Sequence, residues 1–225
     1  MILRALTFWL FTASLSFAQG LPALPRDDVP QFVAIGRVNQ AGFKSLGLCS
    51  GTLIAPALVL TAAHCLPNLP RGTNRVFVAG YDRGDYLAAR PFTRYERHPA
   101  WQRDKGAAYD LGLIYLDEPI TEVAEFAVGK RSPVDIAGQS LALVGYHGRL
   151  PHVLSGAMDC PATAHGPTLK IGCEVIPGNS GGPVLRKTDA GWEVVGVVSA
   201  RQGGLAWAAG LDDWVLAAVK RAKDE

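Results

Sequence analysis

The sequence predicts an all-β fold: two packed six-stranded antiparallel β-barrels with a C-terminal α-helix. Three observations carry this. The apolar runs are short and bounded by Gly, Pro, Asn and Asp. They fall into two sets of about six, either side of a pattern-poor stretch at 117–137 that contains Pro119 and Pro133. Helical periodicity is strong in the last stretch alone, where Leu211, Trp214, Val215, Ala218, Val219 and Ala222 share one face.

In chain order, Arg4 and the apolar run 5–17 end in Ser16-Phe17-Ala18. Small residues at both positions that a signal peptidase reads predict a signal peptide, residues 1–18, cleaved after Ala18. The run is too short for a membrane anchor. Residues 19–29 are rich in Pro and Asp and read as a mobile leader or short propeptide. The first barrel, within 30–128, draws strands from 31–39, 49–54, 58–60, 75–79, 90–96 and 111–116. The second, within 129–210, draws them from 141–146, 153–158, 168–172, 183–186, 192–200 and 205–208. The helix takes 211–225, with Asp212 and Asp213 in its first turn and Lys220, Arg221 and Lys223 near its end, matching the helix dipole. Any site belongs in the cleft between the barrels.

The chain of 225 residues is 48% hydrophobic and 19% charged, with a net charge of +2. That balance gives no electrostatic case for nucleic acid or a membrane surface. Four cysteines, Cys49, Cys65, Cys160 and Cys173, behind a signal peptide point to disulfides and an exported protein, periplasmic or extracellular. Three pairings are open, and the shortest loops join Cys49 to Cys65 and Cys160 to Cys173. A zinc site is the competing reading, but no CxxC spacing supports it. No metal and no cofactor are expected.

Chemistry centres on Pro177-Gly178-Asn179-Ser180-Gly181-Gly182-Pro183. Glycine on both sides lets a turn push the Ser180 hydroxyl outward and aim nearby N–H groups at one point. A serine hydroxyl needs a base, usually His, and a carboxylate to orient it. Of the five histidines, His98, His147, His152 and His165 lie in polar or Pro/Gly-rich loops and read as solvated. His64 follows a strand and two alanines, and Cys65 would pin it by bonding to Cys49. Asp110 directly precedes the apolar run Leu111-Gly112-Leu113-Ile114, near the core; Asp104 has polar surroundings and is the weaker choice. Arg83-Gly84-Asp85 matches an adhesion tripeptide but reads as a solvated turn.

Cys49-Ser50-Gly51-Thr52-Leu53-Ile54 and Val59-Leu60-Thr61-Ala62-Ala63-His64-Cys65 resemble the histidine segment of chymotrypsin-like serine proteases. Asp110-Leu111-Gly112-Leu113-Ile114 resembles the aspartate segment, and Gly178-Asn179-Ser180-Gly181-Gly182-Pro183 the serine segment, in the family order. The resemblance covers about residues 30–215. It implies a Ser180–His64–Asp110 triad, an oxyanion hole from the N–H groups of Gly178 and Ser180, and protein or peptide substrates. Ser199 resembles the residue that supports the buried aspartate. Glu174, six residues before Ser180, stands where trypsin-like enzymes carry the acidic base of the primary pocket, so basic side chains are expected there. Ser199 and Arg201 belong to the strand that forms a pocket wall, and Arg201 would neutralise Glu174 or favour acidic side chains. Asn179 replaces the aspartate that pairs with a new N-terminus in trypsin-type zymogens, and the serine segment looks more like bacterial members. The resemblance thus implies a secreted, monomeric serine endopeptidase. Its rivals are a catalytically silent binding protein on the same fold and an esterase, although Gly-x-Ser-x-Gly marks an esterase only on a strand-to-helix turn.

Overall fold

The computed structural model describes residues 20–40, 48–66 and 75–224. The signal-peptide reading lies outside them.

The first sheet contains β1 (Ile35–Gln40), β2 (Cys49–Ala55), β3 (Leu58–Thr61), β4 (Arg75–Ala79), β5 (Ala88–Pro91), β6 (Arg94–Arg97) and β7 (Gly112–Tyr115). Its order is β5-β4-β1-β2-β3-β7-β6, antiparallel throughout. Where the sequence suggested one strand at 90–96, the chain breaks at Phe92 and Thr93 into two edge strands. Phe92 turns inward and is buried, and its N–H bonds the carbonyl of Arg75. Only two residues separate β5 from β6, so the two edges of the sheet lie within about 10 Å along the chain. The sheet therefore curls, but no ladder joins β5 to β6 among the described residues. The expected first barrel is thus a curled half-barrel. Pro91 on one edge and Arg94 and Arg97 on the other discourage further pairing.

The second sheet contains β8 (Ala127–Val128), β9 (Ser140–His147), β10 (Leu150–His165), β11 (Thr168–Glu174), β12 (Pro183–Thr188), β13 (Gly191–Gln202) and β14 (Leu205–Gly210). The order β12-β9-β10-β11-β14-β13 returns to β12 through a β12–β13 ladder, which closes a six-stranded barrel. The short β8 adds in parallel beside β13. It comes from the pattern-poor 117–137 stretch, as does a one-turn helix, α1 (Pro133–Ile136), capped by Ser132. Helix α2 (Asp213–Asp224) buries Val215 and Ala218, and the Asp212 carboxylate accepts the N–H groups of Trp214 and Val215.

One apolar core fills the first sheet and continues through Val144, Tyr146, Leu185 and Val197 of the second, so the two sheets share an interface. A second core fills the closed barrel around Leu143, Leu169, Ile171 and Val195. The cysteines pair as Cys49–Cys65 and Cys160–Cys173. Each would contribute about 3 kcal/mol by restricting the unfolded chain.

Residues 20–32 differ from the mobile leader suggested by composition. Leu21, Leu24 and Phe32 are buried, and 26–32 form a 3-10 helix rather than the start of a strand. Apolar side chains at 21, 24 and 32 outweigh the surrounding Pro and Asp once a second sheet is there to receive them.

Candidate active site

His64 sits in a single 3-10 turn directly after β3, and the Cys49–Cys65 bond ties that turn to the start of β2. Asp110 ends another 3-10 turn directly before β7, which pairs with β3. Adjacent strands therefore bring the two residues together. Asp110 is 1% exposed. Its Oδ1 accepts the His64 backbone N–H at 2.9 Å, and its Oδ2 meets His64 Nδ1 at 2.6 Å. Ser199 Oγ donates to the same Oδ2 at 2.5 Å from the other sheet. This carboxylate holds the ring with its proton on Nδ1, leaving Nε2 as the acceptor of a partly exposed side chain.

Ser180 sits between Gly178 and Gly181, whose φ angles are +110° and +81°. Both glycines are required. A Cβ on Gly178 would lie 2.6 Å from His147 Cα, and one on Gly181 would lie 2.2 Å from both the Ser50 carbonyl and Thr61 Oγ1. The turn is tied on several sides. Ser50 N–H donates to the Ser180 carbonyl at 2.8 Å, Gly181 N–H to Val198 at 2.8 Å, and Gly148 N–H to Pro177 at 2.9 Å. Buried Asn179 bonds the backbone twice: its Oδ1 accepts from Ile176 N–H and its Nδ2 donates to the Tyr146 carbonyl. These bonds do for the turn what an ion pair would do for an aspartate. Among the described residues no hydrogen bond joins Ser180 Oγ to His64. The two converge on Cys65, whose Sγ lies 3.8 Å from His64 Nε2 and 3.8 Å from the Ser180 carbonyl oxygen. Such looseness is common before substrate tightens a site.

A cavity of about 170 Å³ opens beside Ser180, lined by Val175, Ile176, Pro177, Asn179, Val198, Ala200 and Arg201. Arg201 lines it; Glu174 does not. Strand alternation explains the difference. Within β11, Lys170, Gly172 and Glu174 are exposed while Ile171 is buried, so Glu174 faces outward at the strand end, with its carboxylate beside Gly204. The expected acidic base of the pocket is therefore absent from this lining. A larger hollow of about 560 Å³, lined by residues such as Arg94, Tyr115 and Arg221, contains none of the three candidate catalytic residues.

Two residues escaped the sequence reading. Ser50 is wholly buried; its Oγ accepts the Tyr146 N–H at 2.8 Å and donates to the Gly178 carbonyl at 3.0 Å. His147, read as a solvated loop residue, is 0% exposed at the end of β9. Its place after the apolar run 141–146 was the one available signal. Burial pushes its imidazole pKa down, the Leu21 carbonyl counters this, and Arg149 adds to it. His98 also departs from a solvated loop: it bonds Asp212 at 2.9 Å and stacks on Tyr109. His152 and His165 are exposed, against Tyr81 and Trp207. Among the described residues, Cys49, His64 and Cys65 alone cluster like metal ligands, and both sulfurs are bonded to each other. A disulfide offers no thiolate to a metal.

Residues 49–197 match the trypsin-like peptidase domain. The chain belongs to this family and has its chymotrypsin-like fold. It is 27% identical to Hypodermin-B of Hypoderma lineatum over 79% of this chain and 74% of that one. It is 26% identical to glutamyl endopeptidase of Bacillus licheniformis over 65% of this chain and 48% of that one. With Sus scrofa coagulation factor XII the match spans only 12% of the relative's length. A solved Glu endopeptidase, in complex with MPD, superposes with a TM-score of 0.75 at 20% identity, covering 92% of this chain and 97% of the other.

Proposed function

We propose that this chain is a secreted, monomeric serine endopeptidase that cleaves protein or peptide substrates through an acyl-enzyme. The observation that carries the reading is the buried Asp110 carboxylate, which binds His64 twice and Ser199 once, with Ser180 in a glycine turn beside them. Ser180 Oγ attacks the scissile carbonyl while His64 Nε2 takes its proton. His64 then returns that proton to the leaving amine. Asp110 keeps the ring in the accepting tautomer and stabilises its charged form. The Gly178 and Ser180 N–H groups receive the charge that develops on the carbonyl oxygen, and one such donor typically contributes about 2.7–4 kcal/mol. Water then releases the acyl group by the reverse steps. Export is consistent with the two disulfides and with the described residues holding no helix long and apolar enough to cross a membrane.

The pocket reading turns from basic to acidic side chains. Arg201 is the charged member of the lining, and the likeness to a glutamyl endopeptidase points the same way. A fluorophosphonate probe tests the chemistry: wild type is labelled and Ser180→Ala is not. Equal labelling of both, or none of wild type, refutes it and favours a silent binding protein. A fluorogenic peptide panel tests the pocket. Best cleavage after Glu or Asp is expected, falling in Arg201→Ala; best cleavage after Lys or Arg refutes it.

A further inference from the structure

We propose that residues 20–24 form an activating strap, and that His147 is the positioning residue through which the strap holds the Gly178 oxyanion donor. This rests on the endopeptidase reading. The strap is seated on the second barrel by side chain and backbone together. Leu21 and Leu24 are buried. Leu24 N–H donates to the Leu154 carbonyl at 2.9 Å, Gly156 N–H donates to the Pro22 carbonyl at 2.8 Å, and Ala23 bridges Ser155. Residues 22–24 thus pair with β10 as a short added strand.

Alongside these bonds the Leu21 carbonyl meets His147 Nε2 at 2.9 Å. A carbonyl only accepts, so Nε2 carries the ring proton. Nδ1 then accepts the Leu150 N–H at 3.3 Å. The ring is neutral, buried and held at both nitrogens.

The backbone at His147, held by that ring, is also what the oxyanion turn rests on. Gly178 packs so closely on it that a Cβ would reach 2.6 Å from His147 Cα. The next residue, Gly148, donates its N–H to the Pro177 carbonyl at 2.9 Å. That carbonyl and the Gly178 N–H belong to one planar trans peptide and point in opposite directions. The bond from Gly148 therefore fixes the aim of the Gly178 N–H. On the other side, Gly20 presses on Ile176, where a Cβ would lie 2.8 Å from Cδ1. Ile176 lines the cavity beside Ser180, and its N–H and carbonyl both bond Asn179. None of residues 20–24 lines that cavity. The strap supports the turn from behind and leaves the cavity open. It is a retained part of the active enzyme, not an inhibitory propeptide to be trimmed.

The test compares the chain beginning at residue 19 with one beginning at residue 25, and with His147→Ala and His147→Gln. Steady-state kinetics use one peptide substrate, and circular dichroism reports folding. Loss of the strap and His147→Ala should each lower kcat by about 10²–10³-fold, the scale of one lost oxyanion donor, with KM moving less than about threefold. His147→Gln keeps an Nε2 donor for Leu21 and should recover to within about tenfold of wild type. A folded, strapless chain with kcat within about twofold of wild type overturns the proposal, as do equal losses in His147→Ala and His147→Gln. If both the strapless chain and His147→Ala fail to fold, Leu21→Ala decides. It trims the anchor and leaves ring and carbonyl in place; lowered kcat supports the strap and unchanged kcat overturns it. An active wild type with indifferent variants sinks the strap alone. A wild type that no fluorophosphonate labels sinks the endopeptidase reading and the strap with it.

Discussion

Replacing Asp110 by Asn isolates the tautomer of His64. The carboxylate accepts three hydrogen bonds: His64 N–H on Oδ1 at 2.9 Å, and His64 Nδ1 at 2.6 Å and Ser199 Oγ at 2.5 Å on Oδ2. The backbone N–H only donates, so the amide oxygen of Asn must occupy the Oδ1 place. Its NH₂ then faces Nδ1, which must become an acceptor, and the ring proton moves to Nε2. A ring protonated there cannot take the Ser180 proton. The expected loss is about 10⁴-fold in kcat, or about 5.5 kcal/mol at 1.36 kcal/mol per tenfold. Ser199→Ala removes one charge-assisted bond from the same oxygen and leaves the tautomer correct. That bond contributes about 1.5–3 kcal/mol, so a loss of about 10-fold to at most about 160-fold follows. The assay is kcat on a peptide p-nitroanilide at neutral pH, with thermal melts to show that both variants fold. A loss below about tenfold in Asp110→Asn, or equal damage from Ser199→Ala, would refute the tautomer argument.

His147 makes stability depend on pH. Its folded pKa is depressed, chiefly by burial, below the unfolded value of about 6.5, so its contribution is complete above that value and is lost as pH falls toward the folded pKa. Urea unfolding at pH 7.5 and 5.5 should find the lower pH less stable, with a smaller difference in His147→Gln; no smaller difference would count against it. Gly181→Ala sets a Cβ 2.2 Å from the Ser50 carbonyl at a φ of +81° and should cost about 2–5 kcal/mol, so a wild-type urea midpoint would contradict the packing. Removing either disulfide should cost about 3 kcal/mol. Only the loss of Cys49–Cys65, beside His64, should also depress kcat in the folded enzyme, and equal kcat in the two double alanine variants would refute that role.

What could be read without coordinates was what is covalently local. Ser180 announces itself by the glycines around it, and His64 by the cysteine beside it. Asp110 stands directly before an apolar strand, and helix α2 spells out its buried face at helical spacing. Glu174 lies outside the lining of the cavity beside Ser180 for a local reason too. Its distance from Ser180 along the chain says nothing about which side of β11 it faces, and strand alternation turned it outward. The break at Phe92 and Thr93 was hidden because two short edge strands and one longer strand have the same composition.

Contacts across many residues were beyond reach. His147 and Leu21 are 126 residues apart, and Ser50 and Gly178 are 128 apart. No pattern in either neighbourhood names the distant partner. A histidine at a strand end has the same sequence whether water or a carbonyl meets its ring, and a short Pro-rich leader has the same sequence whether it is docked or free. The sequence alone determined the class of fold, the three residues proposed for catalysis and the glycine-rich turn that presents the serine, because each depends on neighbours in the chain. Only the tertiary structure decided which buried polar groups meet, that one sheet closes while the other stays curled, and that residues 20–24 lie behind the oxyanion turn. Those outcomes depend on surfaces that exist only once both sheets have formed and excluded water between them.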